Sequence, residues 1–328
     1  MSVREWQSQL LHLHPEQFEA VALEVFAYQY EHCSVYRHYL NHLSFDRSKV
    51  LDFNQIPYLP IAFFKQHQVS SGAFEAETVF ESSSTTGIGV SKHFVKDLSW
   101  YKQVFTAAFD FHFGAYQQFA HLGLLPNYLE RSNSSLIVQV NHFVQSTLAL
   151  GSQFYLYDWA ALLKQIQVNK SRQFPTVLWG VSFALLDLAE SHSVDLSHCI
   201  IIETGGMKGR RKEITRQELH GELCSAFNTK SIATEYGMTE LMSQAYSKAN
   251  GQLLCPPWMR IQIREMNDPF TVLGPEQHGA INIVDLANFN TCAFIETSDL
   301  GKKHANGCFE VLGRMDYSDT RGCSLMLS

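Results

Sequence analysis

The chain has 328 residues, of which 45% are hydrophobic, 12% aromatic and 17% charged. That composition allows one large domain or two ordinary ones around a substantial core, and it excludes an intrinsically disordered chain. The formal net charge of −7, with no basic tail or stripe, argues against a nucleic-acid binder.

The start carries Arg4 and Glu5 and no apolar signal core. No window approaches ~20 consecutive apolar residues, so no membrane span is expected. Cys33, Cys199, Cys224, Cys255, Cys292, Cys308 and Cys323 are scattered, with no CxxC and no zinc-like spacing. An odd number of unpaired cysteines without a leader reads as a reduced, cytoplasmic chain whose thiols are mostly small buried hydrophobes.

Residues 1–77 read as mainly helical. Pro15 suits a first helical turn, and Phe18, Val21, Ala22, Val25 and Phe26 recur at helical spacing. Tyr28, Tyr30, Tyr36 and Tyr39 follow, either as core or as the wall of a substrate pocket. Pro57 and Pro60 frame a break.

Residues 78–249 alternate strand, loop and helix, which favours a layered α/β fold. Thr78–Phe80 ends a short strand. Asp97 or Ser99 caps a helix through Trp100, Val104 and Phe105. Leu136–Val140 reads as a short buried strand followed by the polar Asn141-His142. Thr176–Trp179 is a strand and Phe183–Ala189 a helix. Cys199–Ile202 is a strand feeding Glu203-Thr204-Gly205-Gly206. Thr215 and Glu218 form a capping box ahead of Leu219, Leu223 and Phe227 on one helix face.

Residues 250–328 are strand-rich. Asn250-Gly251 and Asn306-Gly307 are turn signals, and the segments around Ile261 and Ile281 alternate as strands do. No long linker and no internal repeat interrupts the chain, so residues 1–328 are expected to form a single unit.

Three segments carry residues suited to chemistry. Ser82-Ser83-Ser84-Thr85-Thr86-Gly87 offers hydroxyls and backbone N–H groups that can wrap an oxyanion, with Gly87 permitting a tight turn; the same run also makes an ordinary polar loop. It is not the GxxxxGK[ST] phosphate loop. In Glu235-Tyr236-Gly237-Met238-Thr239-Glu240, Glu240 could hold Mg²⁺ against phosphate oxygens, Tyr236 could stack on a planar base, and Thr239 could donate to a phosphoryl oxygen. A surface turn entering a helix is the plainer alternative. In Thr297-Ser298-Asp299-Leu300-Gly301 and Gly313-Arg314-Met315-Asp316, Asp299 could accept two hydrogen bonds from a ribose diol. Arg314 offers a forked cationic donor. Two hairpin ends bearing solvent charges would look the same.

Taken together and in this order, the segments resemble the adenylate-forming enzymes. Ser82–Gly87 resembles their hydroxyl-rich phosphate loop, and Tyr236-Gly237-Met238-Thr239-Glu240 their Tyr-Gly-x-Thr-Glu motif. Thr297–Gly301 resembles their Thr-Gly-Asp-x-Gly segment, and Gly313–Asp316 with Arg321-Gly322 their hinge. Within that superfamily, Ile202–Arg210, including Gly205 and Gly206, and Arg321–Met326 resemble the acyl-protein synthetases. These are the fatty-acid-activating subunits of the bacterial bioluminescence reductase complex and their relatives. The resemblance spans about residues 78 to 328.

The resemblance implies an α/β fold like the large N-terminal core of adenylate-forming enzymes, with mixed sheets packed against helices. It implies ATP and Mg²⁺, with Glu240 as the metal-side carboxylate, Asp299 as the ribose acceptor and Gly237 in the nucleotide loop. The substrate it implies is a carboxylic acid, read as a fatty acid, with His142 as a candidate at the acid entrance. The acid would become acyl-AMP and then meet a thiol. Cys323 matches the family's near-terminal acyl-accepting cysteine, and a reductase, acyltransferase or carrier protein would receive the acyl group. Alternatives are direct delivery to coenzyme A or a carrier protein, and a non-catalytic subunit on the same fold.

The chain departs from the family pattern at Ser84 and Ser298, which stand where glycines are usual, and it lacks the following Pro-Lys, with Lys92 nearby. The C-terminal lid and its lysine are expected to be missing. Lys208, Arg210, Arg211 and Lys212 are then basic candidates for phosphate charge, or members of a solvated loop.

Overall fold

A computed structural model describes residues 3–82, 89–126, 133–149, 151–205, 211 and 214–315. The helical start contains α1 (Val3–Leu10), α2 (Phe18–His32) and α3 (Ser34–His42), then a short strand β1 (Leu59–Pro60) and one turn of helix, α4 (Phe63–Gln66). The periodic apolar residues Phe18, Ala22, Val25 and Phe26 are all buried. So are Tyr36 and Tyr58, whose rings with Phe26 surround Phe294. Of Tyr28, Tyr30, Tyr36 and Tyr39, Tyr36 is core, and Tyr30 and Tyr39 are half-buried against it.

A two-stranded antiparallel ribbon follows, β2 (Thr78–Glu81) with β3 (Lys92–Val95). Asp97 then caps α5 (Leu98–Phe113), accepting from the Trp100 amide at 2.9 Å.

The next elements are β4 (Ala120–Leu124), α6 (Ser135–Ser146), β5 (Gln153–Phe154), α7 (Trp159–Ser171), β6 (Thr176–Val181), α8 (Ser182–Ser191), β7 (Cys199–Thr204), α9 (Arg216–Ala226), β8 (Ala233–Tyr236) and β9 (Ala245–Ser247). Their strands form one six-stranded sheet in the order β5-β4-β6-β7-β8-β9, parallel except for β9. Strands β4 and β6 are buried at every position, so both faces of the sheet are covered. The Thr215–Glu218 capping box opens α9 as its sequence requires.

Leu136–Val140, expected as a strand, lies inside α6. Ile137, Val140, Phe143 and Val144 recur at helical spacing and are buried, which the five-residue apolar run alone could not distinguish from a strand. His142 is accordingly a helical residue, not the start of a polar loop. Its ring meets Phe105 and Tyr116, and its Nδ1 lies 3.3 Å from Ser146 Oγ.

The last strands are β10 (Met259–Arg264), β11 (Val272–Leu273), β12 (His278–Asp285), β13 (Phe294–Lys303) and β14 (Phe309–Arg314). They make a second sheet ordered β1-β13-β12-β10-β11, with β14 also on β13. The chain start thus supplies this sheet's one parallel partner, Leu59 opposite Ile295. Helix α2 docks there too. Gln29 Nε2 donates to the carbonyls of Asn288 and Phe289, and its Oε1 accepts from the Ala293 amide. Gly301 is forced by crowding, because a Cβ there would sit 2.5 Å from the Glu310 carbonyl oxygen. Buried Arg264 crosses three strands, donating to Asn282 Oδ1 at 3.1 Å and to Glu296 Oε1 at 3.0 Å.

Candidate active site at the joint between the two sheets

Strand β8 ends at Tyr236, and the loop Gly237–Gln244 returns the chain to β9. Strand β13 carries Asp299, and its neighbour β14 carries Arg314 in direct register with it. The Tyr236 hydroxyl donates to Asp299 Oδ2 at 2.8 Å, and Arg314 Nε donates to Oδ1 at 3.2 Å. Three residues singled out from separate sequence segments therefore meet in one cluster. The Asp299 side chain is 10% exposed, while that of Arg314 is 84% exposed and open to a ligand or solvent. Asp299 also has its amide tied to Thr297 Oγ1 at 3.1 Å, within β13 and just before the register shift at Leu300/Gly301.

Tyr236 is itself buried. Its ring meets Phe309 edge-on, and burial beside the Asp299 carboxylate raises its pKa well above that of an ordinary tyrosine. It acts as a neutral tie between the sheets.

Glu240 is buried, with the Ser91 hydroxyl near enough to favour its charged form. Burial raises its pKa; the Ser91 hydrogen bond and the Arg314 charge oppose that, and the Asp299 charge adds to it. The same Ser91 donates its amide to Ser82 Oγ at 3.0 Å, closing the base of the hydroxyl-rich loop. Ser82 is thus brought to the acidic motif through Ser91. Thr239, half-buried, offers its backbone carbonyl to His93. Gly205 follows the end of β7 with φ +78°, a backbone state that favours glycine, two residues past the Glu203–Thr234 pair. Ser83, Ser84, Thr85, Thr86, Gly87, Gly206, Asp316 and Cys323 lie outside the described residues, as do Lys208, Arg210 and Lys212. Arg211 is paired with Asp187 and Glu190 on α8, so its charge is already engaged.

The sequence reading passed over the groups that hold this loop from behind. His93 Nδ1 donates to the Thr239 carbonyl at 2.8 Å, and Asn288 Nδ2 to the Glu240 carbonyl at 2.7 Å. Asp285 accepts from the amides of Met242 and Ser243 at 2.9 and 3.0 Å, and from the Ser243 hydroxyl at 2.7 Å. Next to the motif, Glu235 is buried and accepts from Gln139, Thr204 and Tyr246. Burial raises its pKa against those three hydrogen bonds. The available signal was strand alternation: Ser91 and His93 are two apart and share one face.

Among the described residues no group of three or more His, Cys, Asp or Glu side chains could hold a metal ion. A single buried carboxylate beside a hydroxyl suits Mg²⁺ carried in by a nucleotide, because that ion keeps phosphate oxygens and water as most of its ligands. The donor set therefore fits Mg·ATP and does not fit an all-protein metal cage.

Solved structures share this architecture. The chain aligns with ATP-bound MatB of Rhodopseudomonas palustris at TM-score 0.55 and 18% identity, covering 74% of this chain and 49% of that one. It aligns with a 2-hydroxyisobutyryl-CoA ligase, in an open conformation with 2-HIB-AMP and CoA, at TM-score 0.61 and 11% identity, covering 97% and 71%. It aligns with the o-succinylbenzoate coenzyme A synthetase of Bacillus subtilis, in complex with ATP and magnesium, at TM-score 0.51 and 20% identity, covering 74% and 51%. The chain has the core fold of adenylate-forming enzymes. In that fold, it spans about half the length of the MatB and o-succinylbenzoate synthetase chains. The family described as acyl-protein synthetase, LuxE, matches residues 11–112, the helical start and the ribbon, and not the later segments on which the motif resemblance rests. No curated protein matches the chain. No described helix is long and apolar enough to cross a membrane.

Proposed function

We propose that this chain activates a carboxylic acid with ATP and passes the acyl group to an external thiol, that of coenzyme A or of a carrier protein. The observation that carries the reading is the cluster of Tyr236, Asp299 and Arg314 beside the buried Glu240, at the joint between the two sheets of an adenylate-forming core. In the first step a carboxylate oxygen bonds to the α-phosphorus of ATP, the bond to the β-phosphate bridge breaks, and pyrophosphate leaves. In the second a thiolate sulfur bonds to the acyl carbon, the bond from that carbon to the phosphate oxygen breaks, and AMP leaves with its electron pair. Asp299, held by Tyr236 and Arg314, keeps lone pairs for a ribose diol. Arg314 presents a positive group to the nucleotide. Glu240 would hold Mg²⁺, which when bound neutralises charge on the phosphate oxygens. The hydroxyls of Ser82–Gly87, of which Ser82 is held by the Ser91 amide, would supply donors to an oxyanion, and the Thr239 hydroxyl another.

The external thiol is favoured because the neighbours in fold include a ligase solved with an acyl-adenylate and CoA. The match of residues 11–112 to the acyl-protein synthetases favours a second reading, in which a fatty acid is transferred to Cys323 and then to a reductase, acyltransferase or carrier protein. Pyrophosphate exchange over a panel of aliphatic, aromatic and amino acids tests the activation step. No exchange with any acid would leave a non-catalytic subunit. Incubation with labelled acid, with and without coenzyme A, then separates the acceptors. Hydroxylamine-labile label on the native protein, absent from Cys323→Ser, marks self-acylation; soluble acyl-CoA with unlabelled protein marks the external route.

A further inference from the structure

The ribbon β2–β3 belongs to neither large sheet, yet it carries the hydroxyl-rich loop between its strands. Its contact with the acidic motif runs through two side chains on one face. Ser91, 2% exposed, lies beside Glu240, whose charged form its hydroxyl favours, and His93, 1% exposed, gives Nδ1–H to the Thr239 carbonyl. Because a carbonyl only accepts, Nδ1 must carry the proton. Nε2 then faces the Thr291 hydroxyl at 3.3 Å, and Thr291 in turn bonds Asn288, which holds the Glu240 carbonyl. The one Thr291 hydroxyl proton goes to Asn288 Oδ1, so the imidazole is fixed through Nδ1 while Nε2 only contacts the Thr291 oxygen, and consecutive peptide carbonyls of the motif are gripped from the ribbon and from the segment that follows β12. Phe64 closes the remaining side with an edge-on ring contact at 6.2 Å.

We infer that Ser91 and His93 are positioning residues: they latch the ribbon β2–β3 onto Thr239 and Glu240, so that the base of the ribbon at Ser82 and the metal-side carboxylate keep one spacing. The inference rests on the proposed acyl-activating function for its kinetic consequence, but the latch itself is a property of the fold. A side chain acting only as filler would be replaceable by any residue of similar volume. A latch needs the donor at the Nδ1 position, which asparagine retains and leucine does not. Ser91→Ala removes the second point with little change in volume.

The test measures pyrophosphate exchange and amide hydrogen exchange over residues 237–244 in the native chain and in His93→Leu, His93→Asn and Ser91→Ala. His93→Leu should lower kcat at least tenfold at saturating ATP and acid, with faster hydrogen exchange across the loop. His93→Asn should restore most of both. Ser91→Ala should lower kcat severalfold while keeping the native melting temperature within a few degrees. Equal kcat and equal protection in native and His93→Leu would overturn the latch. A folded His93→Asn as impaired as His93→Leu would also overturn it. If His93→Leu does not fold, the Asn and Ala variants decide by the same criteria. If the native chain exchanges pyrophosphate with no acid, the functional reading fails and hydrogen exchange alone judges the latch: protection kept in His93→Asn and lost in His93→Leu supports it, and any other pattern refutes it.

Discussion

The Tyr236 hydroxyl donates to Asp299 Oδ2 over 2.8 Å, bonding the end of β8 in one sheet to β13 in the other. The other carboxylate oxygen is held by Arg314. A carboxylate fixed at both oxygens is a preorganised acceptor, so a ribose diol would meet it without further ordering.

Asp299→Ala should therefore weaken ATP binding at least tenfold. Hydrogen bonds to a charged acceptor contribute roughly 1.5–3 kcal/mol each, and two are at stake. Tyr236→Phe should weaken it less, because Arg314 still holds Asp299. Calorimetric titration with Mg·ATP measures both. Unchanged affinity in Asp299→Ala would remove this residue from the nucleotide site.

Glu240→Gln separates charge from shape. The buried carboxylate is raised toward its neutral form by desolvation, so a neutral amide of the same size should leave the melting temperature unchanged or higher. Pyrophosphate exchange should fall by about a hundredfold or more, an expectation for losing one charged group aimed at developing charge. A variant with full activity over a Mg²⁺ titration would show that another group faces the metal.

Arg264 is 2% exposed and bonded to Asn282, Glu296 and the Glu265 carbonyl. Removing one partner of a buried pair leaves the other charge uncompensated, at a cost of about 3–5 kcal/mol. Arg264→Ala should show that loss in urea unfolding. A change below about 1 kcal/mol would mean that Glu296 finds water instead.

His121 is caged by Phe109, Phe143 and Trp179, donates Nε2–H to the Tyr116 carbonyl and accepts from Trp179 Nε1 at Nδ1. Burial lowers its pKa to about 4. Above the unfolded value near 6.5 both states are neutral and nothing is lost. As pH falls below that value the unfolded chain takes the proton first, so the stability conferred by this residue declines until about pH 4. Native protein and His121→Gln should differ most above pH 7, and the gap should narrow by about 2 kcal/mol by pH 4.5. A gap independent of pH would mean that His121 titrates normally.

Local chemistry was enough to read several elements correctly. Asp97, Thr215 and Glu218 satisfy free amides within three residues of themselves, so the helix starts follow from nearest neighbours. The apolar segments β6 and β7 and the turn at Asn306-Gly307, where Gly307 takes φ +87°, were legible for the same reason. The segment Leu136–Val140 was not, because five apolar residues fit a strand as well as a helix. Packing of Ile137, Val140 and Phe143 into the core settled it.

For the site, residue types left Tyr236, Glu240, Asp299 and Arg314 as candidates beside plainer alternatives, and the resemblance of the ordered motifs to adenylate-forming enzymes singled them out. Their meeting was decided by tertiary structure, because Tyr236 and Asp299 are 63 positions apart and touch only when β8 and β13 are brought together by two different sheets. The same holds for Ser91, His93, Asp285 and Asn288. Asp285 and Asn288 carry no signature in the sequence, and Ser91 and His93 show only the two-residue alternation of a strand. Their function as anchors of residues 239–243 exists only where burial leaves backbone carbonyls and amides that water cannot reach, so that a side chain from a distant strand must serve them.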